Sequence, residues 1–181
     1  MLAALDRNGA VLPIVCAMAL HELAHAAAML ACGGRIRRLT LRFADLYLEA
    51  AGLGYRQEFF AALAGPLANL ACGAAFRVRW PAFAAYSLIL GLYNLLPVWP
   101  LDGGRMLWLA LCWRTDPFLA DRMAGGVSLA AAGLLTAAGA ALAGRSPFLL
   151  MTAVCLLCCT AGPCIKRRKS VYASGKREAS A

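Results

Sequence analysis

The chain has 181 residues, 62% hydrophobic and 15% charged, whereas soluble domains run nearer half apolar and a quarter charged. Disorder and collagen-like or coiled-coil architectures are excluded by this composition, and the apolar excess places a chain of single-domain length in lipid. The formal charge of +9 would suggest nucleic acid in a soluble protein, but +5 of it falls in residues 166–181 and +3 in residues 33–56, so it reads as a topology signal and no nucleic-acid partner is expected.

Runs long enough to cross a hydrocarbon core of roughly 30 Å lie near 9–32, 57–76, 82–112, 118–143 and 147–165. The expected fold is therefore an all-α polytopic membrane protein with about five transmembrane helices. The first run lacks the basic start and small-residue cleavage site of a signal peptide and is expected to be retained. After it, the stretch from Arg35 to Phe43 and then Leu46 to Glu49 partly alternates apolar with charged residues. Two readings stand: a basic loop on anionic headgroups, or a short membrane-surface β element whose edge pairs with an extended substrate. The third run is broken by Pro97 and Pro100, followed by Asp102, Gly103 and Gly104. This predicts a helix, an irregular turn and a second short helix, with the turn enclosed by protein because bare backbone does not face lipid.

Lys and Arg of short loops stay on the cytoplasmic side. Arg35, Arg37, Arg38, Arg42 and Arg56 share one connection, Arg114 and Arg122 another, and the tail starts at Lys166; five spans put all three on one side. The reading is a multi-pass protein of the cell membrane with the 33–56 loop and the C-terminus cytoplasmic. Residues 1–165 form a single transmembrane domain and residues 166–181 a basic tail.

His21-Glu22-Leu23-Ala24-His25 holds the only two histidines of the chain. Two histidines placed at random in a chain of this length fall four apart about 1% of the time, and a Glu directly after the first makes chance a poor explanation. On a helix, positions i and i+4 share a face, so both imidazoles reach one ion. Glu22 stands close enough to take a proton from an attacking water, which is the metalloprotease arrangement. A carboxylate and two imidazoles inside a span are costly and functional by default.

A catalytic zinc usually has three protein ligands. The candidates for the third are Asp45, Glu49, Glu58, Asp102, Asp116 and Asp121. Five lie near predicted water interfaces, whereas Asp102 sits in the broken third run, late in a span running the same way as the one that carries His21 and His25. Asp102 is therefore chosen, with a second role as N-cap of the short helix also open.

These residues resemble a known family. HELAH at 21–25 together with Asn94-Leu95-Leu96-Pro97-Val98-Trp99-Pro100-Leu101-Asp102-Gly103 is similar to the paired HExxH and NxxPxxxxDG signature of the site-2 proteases, intramembrane zinc metalloproteases. Gly65, Pro66 and Asn69 match the GPxxN segment that lies between the two. The resemblance implies a three-helix catalytic core, about 9–113, with one Zn2+ per chain held by His21, His25 and Asp102. It implies Glu22 as general base, Asn94 as a hydrogen-bonding group for the substrate backbone or oxyanion, and Gly65, Pro66, Asn69, Pro97 and Gly103 as structural positions. The expected activity is cleavage in or near the transmembrane segment of a membrane-tethered substrate, as in regulated intramembrane proteolysis, with a regulatory membrane partner. Too few residues separate the motifs, or follow the last span, for a PDZ or CBS domain, which points to the compact branch that includes the stage IV sporulation protein FB.

Two other classes compete: a catalytically silent scaffold or chaperone that keeps the zinc-binding fold, and a metal or proton transporter. The intact Glu22 argues against the first, and the single broken segment against the second, since transporters usually carry paired ones. The eight cysteines read as buried structural thiols, with lipidation near the tail as the alternative. Arg105 has two candidate partners, Asp102 and lipid phosphate.

Overall fold

The structure, a computed structural model, describes residues 9–42, 45–141 and 147–161. The basic tail, Arg7, Arg145 and Cys164 lie outside the described residues. The order is α1 (Val11–Ala31), β1 (Arg35–Arg42), β2 (Asp45–Ala51), α2 (Tyr55–Ala75), α3 (Pro81–Asn94), α4 (Asp102–Cys112), α5 (Pro117–Ala141) and α6 (Pro147–Ala161).

α1 is apolar almost all round, so its boundaries come from its ends. At the C-terminus Gly33 takes a left-handed φ of 83°, and its N–H donates to Leu30 O at 3.0 Å while Gly34 N–H donates to Met29 O at 2.9 Å. This pair of bonds is a Schellman stop, and glycine at its left-handed position bears no steric cost. β1 and β2 follow as an antiparallel pair with Arg35 opposite Ala51 and Arg42 opposite Asp45. Gln57 then closes the entry to α2: its side-chain oxygen accepts the Gly54 N–H at 2.8 Å and its amide donates to Cys32 O at 3.1 Å, tying the start of α2 to the end of α1.

Helices α1, α2 and α5 are each long and apolar enough to cross a membrane. The third predicted run is two helices of 14 and 11 residues, about 21 and 17 Å long at 1.5 Å per residue and too short to cross singly. Helix packing runs along stripes of small residues at intervals of about four. These are Ala61, Gly65, Asn69 and Gly73 on α2, Ala84, Ser87 and Gly91 on α3, and Ala120, Ala124, Ser128 and Ala132 on α5. Small side chains let backbones approach closely where lipid supplies no hydrophobic drive between helices. A Cβ on Gly73 would strike Leu88, and one on Gly91 would crowd Leu70 and the Pro66 carbonyl.

The segment between α3 and α4 is irregular and is anchored in protein at Val98, with Pro100 exposed. Val98 is fully buried against Ala132 of α5 and Leu156 of α6, with Tyr93, Leu96, Leu101 and Leu135 around it, and Trp99 N–H donates to Ser128 Oγ at 3.3 Å. Protein therefore satisfies backbone that lipid could not.

The cysteines depart from expectation. Of the seven described, none in a disulfide, only Cys112 is buried, and Cys155 and Cys158 are exposed. An apolar stretch signals burial only when the solvent is water; in a lipid-facing helix a small apolar thiol is equally at home on the outer face.

Candidate metal centre

One stripe of α1 is turned into the protein: Pro13, Ala17, His21, His25 and Met29. The opposite faces carry Leu12, Val15, Met18 and Leu23, all more than half exposed, as lipid contact requires. Inside the stripe the two imidazoles stand perpendicular with centroids 4.6 Å apart. α4 brings Asp102 to them across 81 residues of sequence: Asp102 Oδ2 lies 2.9 Å from His21 Nε2 and 3.2 Å from His25 Nε2, and the two Nε2 atoms are 3.0 Å apart. His21, His25 and Asp102 are the one group of three metal-donor side chains so arranged among the described residues.

The donor set fits zinc. Bonds of about 2.0–2.1 Å in a tetrahedral site separate ligand atoms by about 3.3 Å, within a few tenths of the observed triangle. Two imidazole nitrogens and a carboxylate oxygen converging in a buried site are lone pairs aimed at one point, an arrangement that a cation stabilises and apolar surroundings do not. The Asp102 side chain retains 19% exposure against 6% and 9% for the two histidines, so the carboxylate marks the more open side.

α2 holds both rings from behind. His25 Nδ1 lies 2.7 Å from Ala61 O, so it carries the proton and donates, leaving the Nε2 lone pair for the cluster. Pro66 supplies no N–H to the Ala62 carbonyl, one residue along α2 from the Ala61 carbonyl that His25 uses. Gly65 admits the ring: a Cβ there would collide with His25 Nε2, Cε1 and Cδ2. One turn further on, Asn69 Nδ2 stands 3.2 Å from His21 Nδ1. Glu22, partly buried, is about 60° from His25 around the helix axis.

The remaining predicted residues sort as follows. Asp102 opens α4 with Leu101 as N-cap and no side-chain cap bond, so its carboxylate serves the histidines and not the helix end. Gly103 lets this happen, because a Cβ there would collide with the carbonyl oxygens of Leu95 and Leu96. Pro97 lies in the irregular segment. Asn94 ends α3 and its Nδ2 donates back to Leu90 O at 3.2 Å, which commits one amide hydrogen to its own helix. Arg105 reaches a third partner: its Nη2 donates to Glu58 Oε2 at 3.2 Å, a link from α4 to α2. Asp116 caps α5 by accepting the Phe118 N–H at 2.8 Å. The contact of Asn69 with a histidine was not foreseen, although an amide in an apolar span is itself a signal of a polar partner.

An HExxH helix, a proline-broken segment delivering an aspartate and three membrane-length helices together resemble a metalloprotease fold built for the bilayer. The paired motifs resemble those of the site-2 proteases, and residues 71–138 match the model of Peptidase family M50. It is 35% identical over 154 residues to Rip3 of Mycobacterium tuberculosis, named as a zinc metalloprotease, covering 74% of this chain and 37% of that one. It is 32% identical over 113 residues to the stage IV sporulation protein FB of Bacillus subtilis, covering 55% of this chain and 39% of the other. The chain thus spans under two fifths of the length of these curated relatives. The fold matches that of the site-2 protease from Methanocaldococcus jannaschii with a TM-score of 0.66 at 20% identity, over 82% of this chain and 74% of that one.

Proposed function

We propose that this protein is a zinc endopeptidase that hydrolyses a peptide bond in or near the transmembrane segment of a membrane-tethered substrate, the cutting step of regulated intramembrane proteolysis. The observation that carries the reading is the convergence of His21, His25 and Asp102 within 3.2 Å of one another, on the helix that also bears Glu22. These three residues would hold one ion per chain. When bound, zinc supplies Lewis-acid chemistry, polarising a carbonyl and acidifying water.

The residues of the chain do the rest. Glu22 takes a proton from the attacking water as its oxygen bonds to the scissile carbonyl carbon, and returns a proton to the amine as the C–N bond breaks. Asn94, at the end of α3, binds the substrate backbone through the amide capacity its own helix does not use. Water and the unwound substrate enter past the Asp102 side of the cluster, where the broken segment interrupts helix packing. The topology proposed with this activity has five spans within residues 1–165, a catalytic core at about 9–113, the 33–56 strand pair on the cytoplasmic membrane surface and a cytoplasmic C-terminus. A membrane partner regulates access.

The test uses the purified full chain with a membrane-tethered substrate. Wild type should bind one zinc and cleave. Glu22→Gln should keep zinc and lose activity by at least about 100-fold, the usual contribution of a general base, and Asp102→Ala should lose the metal. Equal cleavage by wild type and Glu22→Gln would remove Glu22 as the base. A wild type that binds zinc and cleaves no tethered substrate would favour the scaffold reading.

A further inference from the structure

Asn69 sits in the α2 stripe with no solvent exposure, yet its Oδ1 has no hydrogen-bond partner. Its Nδ2 faces His21 Nδ1 at 3.2 Å. A buried amide oxygen left unpaired is destabilising, so a residue in this state asks for a reason. His21 gives one. A ring that presents its Nε2 lone pair to a metal must carry its proton on Nδ1, and an N–H pointing at an amide N–H makes no bond. A half-turn about the Asn69 Cβ–Cγ bond exchanges oxygen and nitrogen with no other movement and brings the orphaned oxygen to the place where that N–H needs an acceptor.

The same helix already does this for the other ring. His25 donates Nδ1–H to Ala61 O, and Asn69 lies eight residues, about two turns, further along α2. α2 thus faces the back of both imidazoles with one potential oxygen acceptor each, a backbone carbonyl for His25 and a side-chain amide for His21.

We propose that Asn69 is a positioning residue for the metal centre: its side-chain oxygen accepts the Nδ1–H of His21, fixing the tautomer and ring plane that direct Nε2 to the ion. This rests on the zinc reading above. It moves Asn69 from helix packing to metal affinity, where loss of such a partner typically costs about 10- to 100-fold.

The experiment measures zinc binding to the purified full chain by chelator competition, with no substrate present. Asn69→Leu, similar in size and without an acceptor, should weaken zinc by about 10- to 100-fold, and Asn69→Asp, which keeps an oxygen, should restore most of it. Equal affinity of Asn69→Leu and wild type would overturn the proposal, and so would an equal loss in both variants, which is the signature of packing alone. A second measurement needs no variant: with only two histidines in the chain, 15N-histidine labelling resolves both rings. Zinc-loaded wild type should show both protonated at Nδ1, and a His21 ring bound to zinc through Nδ1 would overturn the assignment. A wild type that takes up no zinc at all overturns the underlying reading, whereas zinc binding with an indifferent Asn69 overturns this inference alone.

Discussion

Around the two histidines a single carbon atom decides whether the cluster forms. At Gly65 an added Cβ would meet three atoms of the His25 ring, while at Gly126 nothing lies within 4 Å. Gly65→Ala should therefore push the ring out of line with His21 and Asp102, costing about 1–3 kcal/mol as overpacking does and weakening zinc by at least about tenfold. Gly126→Ala should be neutral or slightly stabilising, since alanine is the better helix former. Thermal unfolding in detergent and chelator competition on the two variants check both statements, and a tolerant Gly65→Ala would mean that the ring has room to move. The identities of His21, Glu22 and His25 were legible because helix period alone puts them on adjoining faces. The need for glycine at 65 was not, because it depends on which helix lies across from it.

At the scale of elements, the short helix α4 is the part most exposed to error, since it must bring Asp102 back to α1. Two of the interactions that hold it differ in magnitude. Gly103 and Gly104 sit against the backbone of residues 95–99, where a side chain has nothing flexible to displace. The Arg105–Glu58 pair is partly exposed on both sides, and such pairs contribute only about 0–1 kcal/mol. Gly103→Ala should thus shift or destabilise α4 and abolish both zinc binding and cleavage, whereas Arg105→Ala should leave zinc affinity within a few-fold of wild type. A reversed order, measured as metal content of the purified variants, would mean that the ion pair and not the close backbone contact seats Asp102. The helix, break and short helix were readable from Pro97, Pro100 and the glycine pair. What anchors the break was not, because Val98 is buried by Ala132 and Leu156, and nothing in the apolar runs at those positions marks which residue faces inward.

For the whole molecule, the centre joins α1 to α4 through three donor side chains whose lone pairs repel one another without a cation or a proton between them. Zinc that binds the folded form alone adds stability as RT ln(1 + [L]/Kd), about 2.7 kcal/mol at 100 times Kd. Stripping the ion with a chelator should lower the unfolding temperature of the wild type in detergent, restoring zinc should recover it, and His21→Ala should show no response to either. A wild type whose melting ignores the chelator would mean that the three side chains meet without holding a metal. Composition, the positions of the apolar runs, the HELAH turn and the proline break were all available in the amino-acid sequence, because lipid demands length and apolarity locally and a helix turn aligns residues four apart wherever it forms. Which thiols face outward, that Arg105 reaches Glu58, which residue of α2 stands behind each imidazole and why Gly65 and Gly103 carry no side chain were decided only by helix packing. Those outcomes depend on distances between segments far apart in the chain, and in a bilayer, where nearly every face of a helix is apolar, hydrophobic pattern cannot say which face meets protein and which meets lipid.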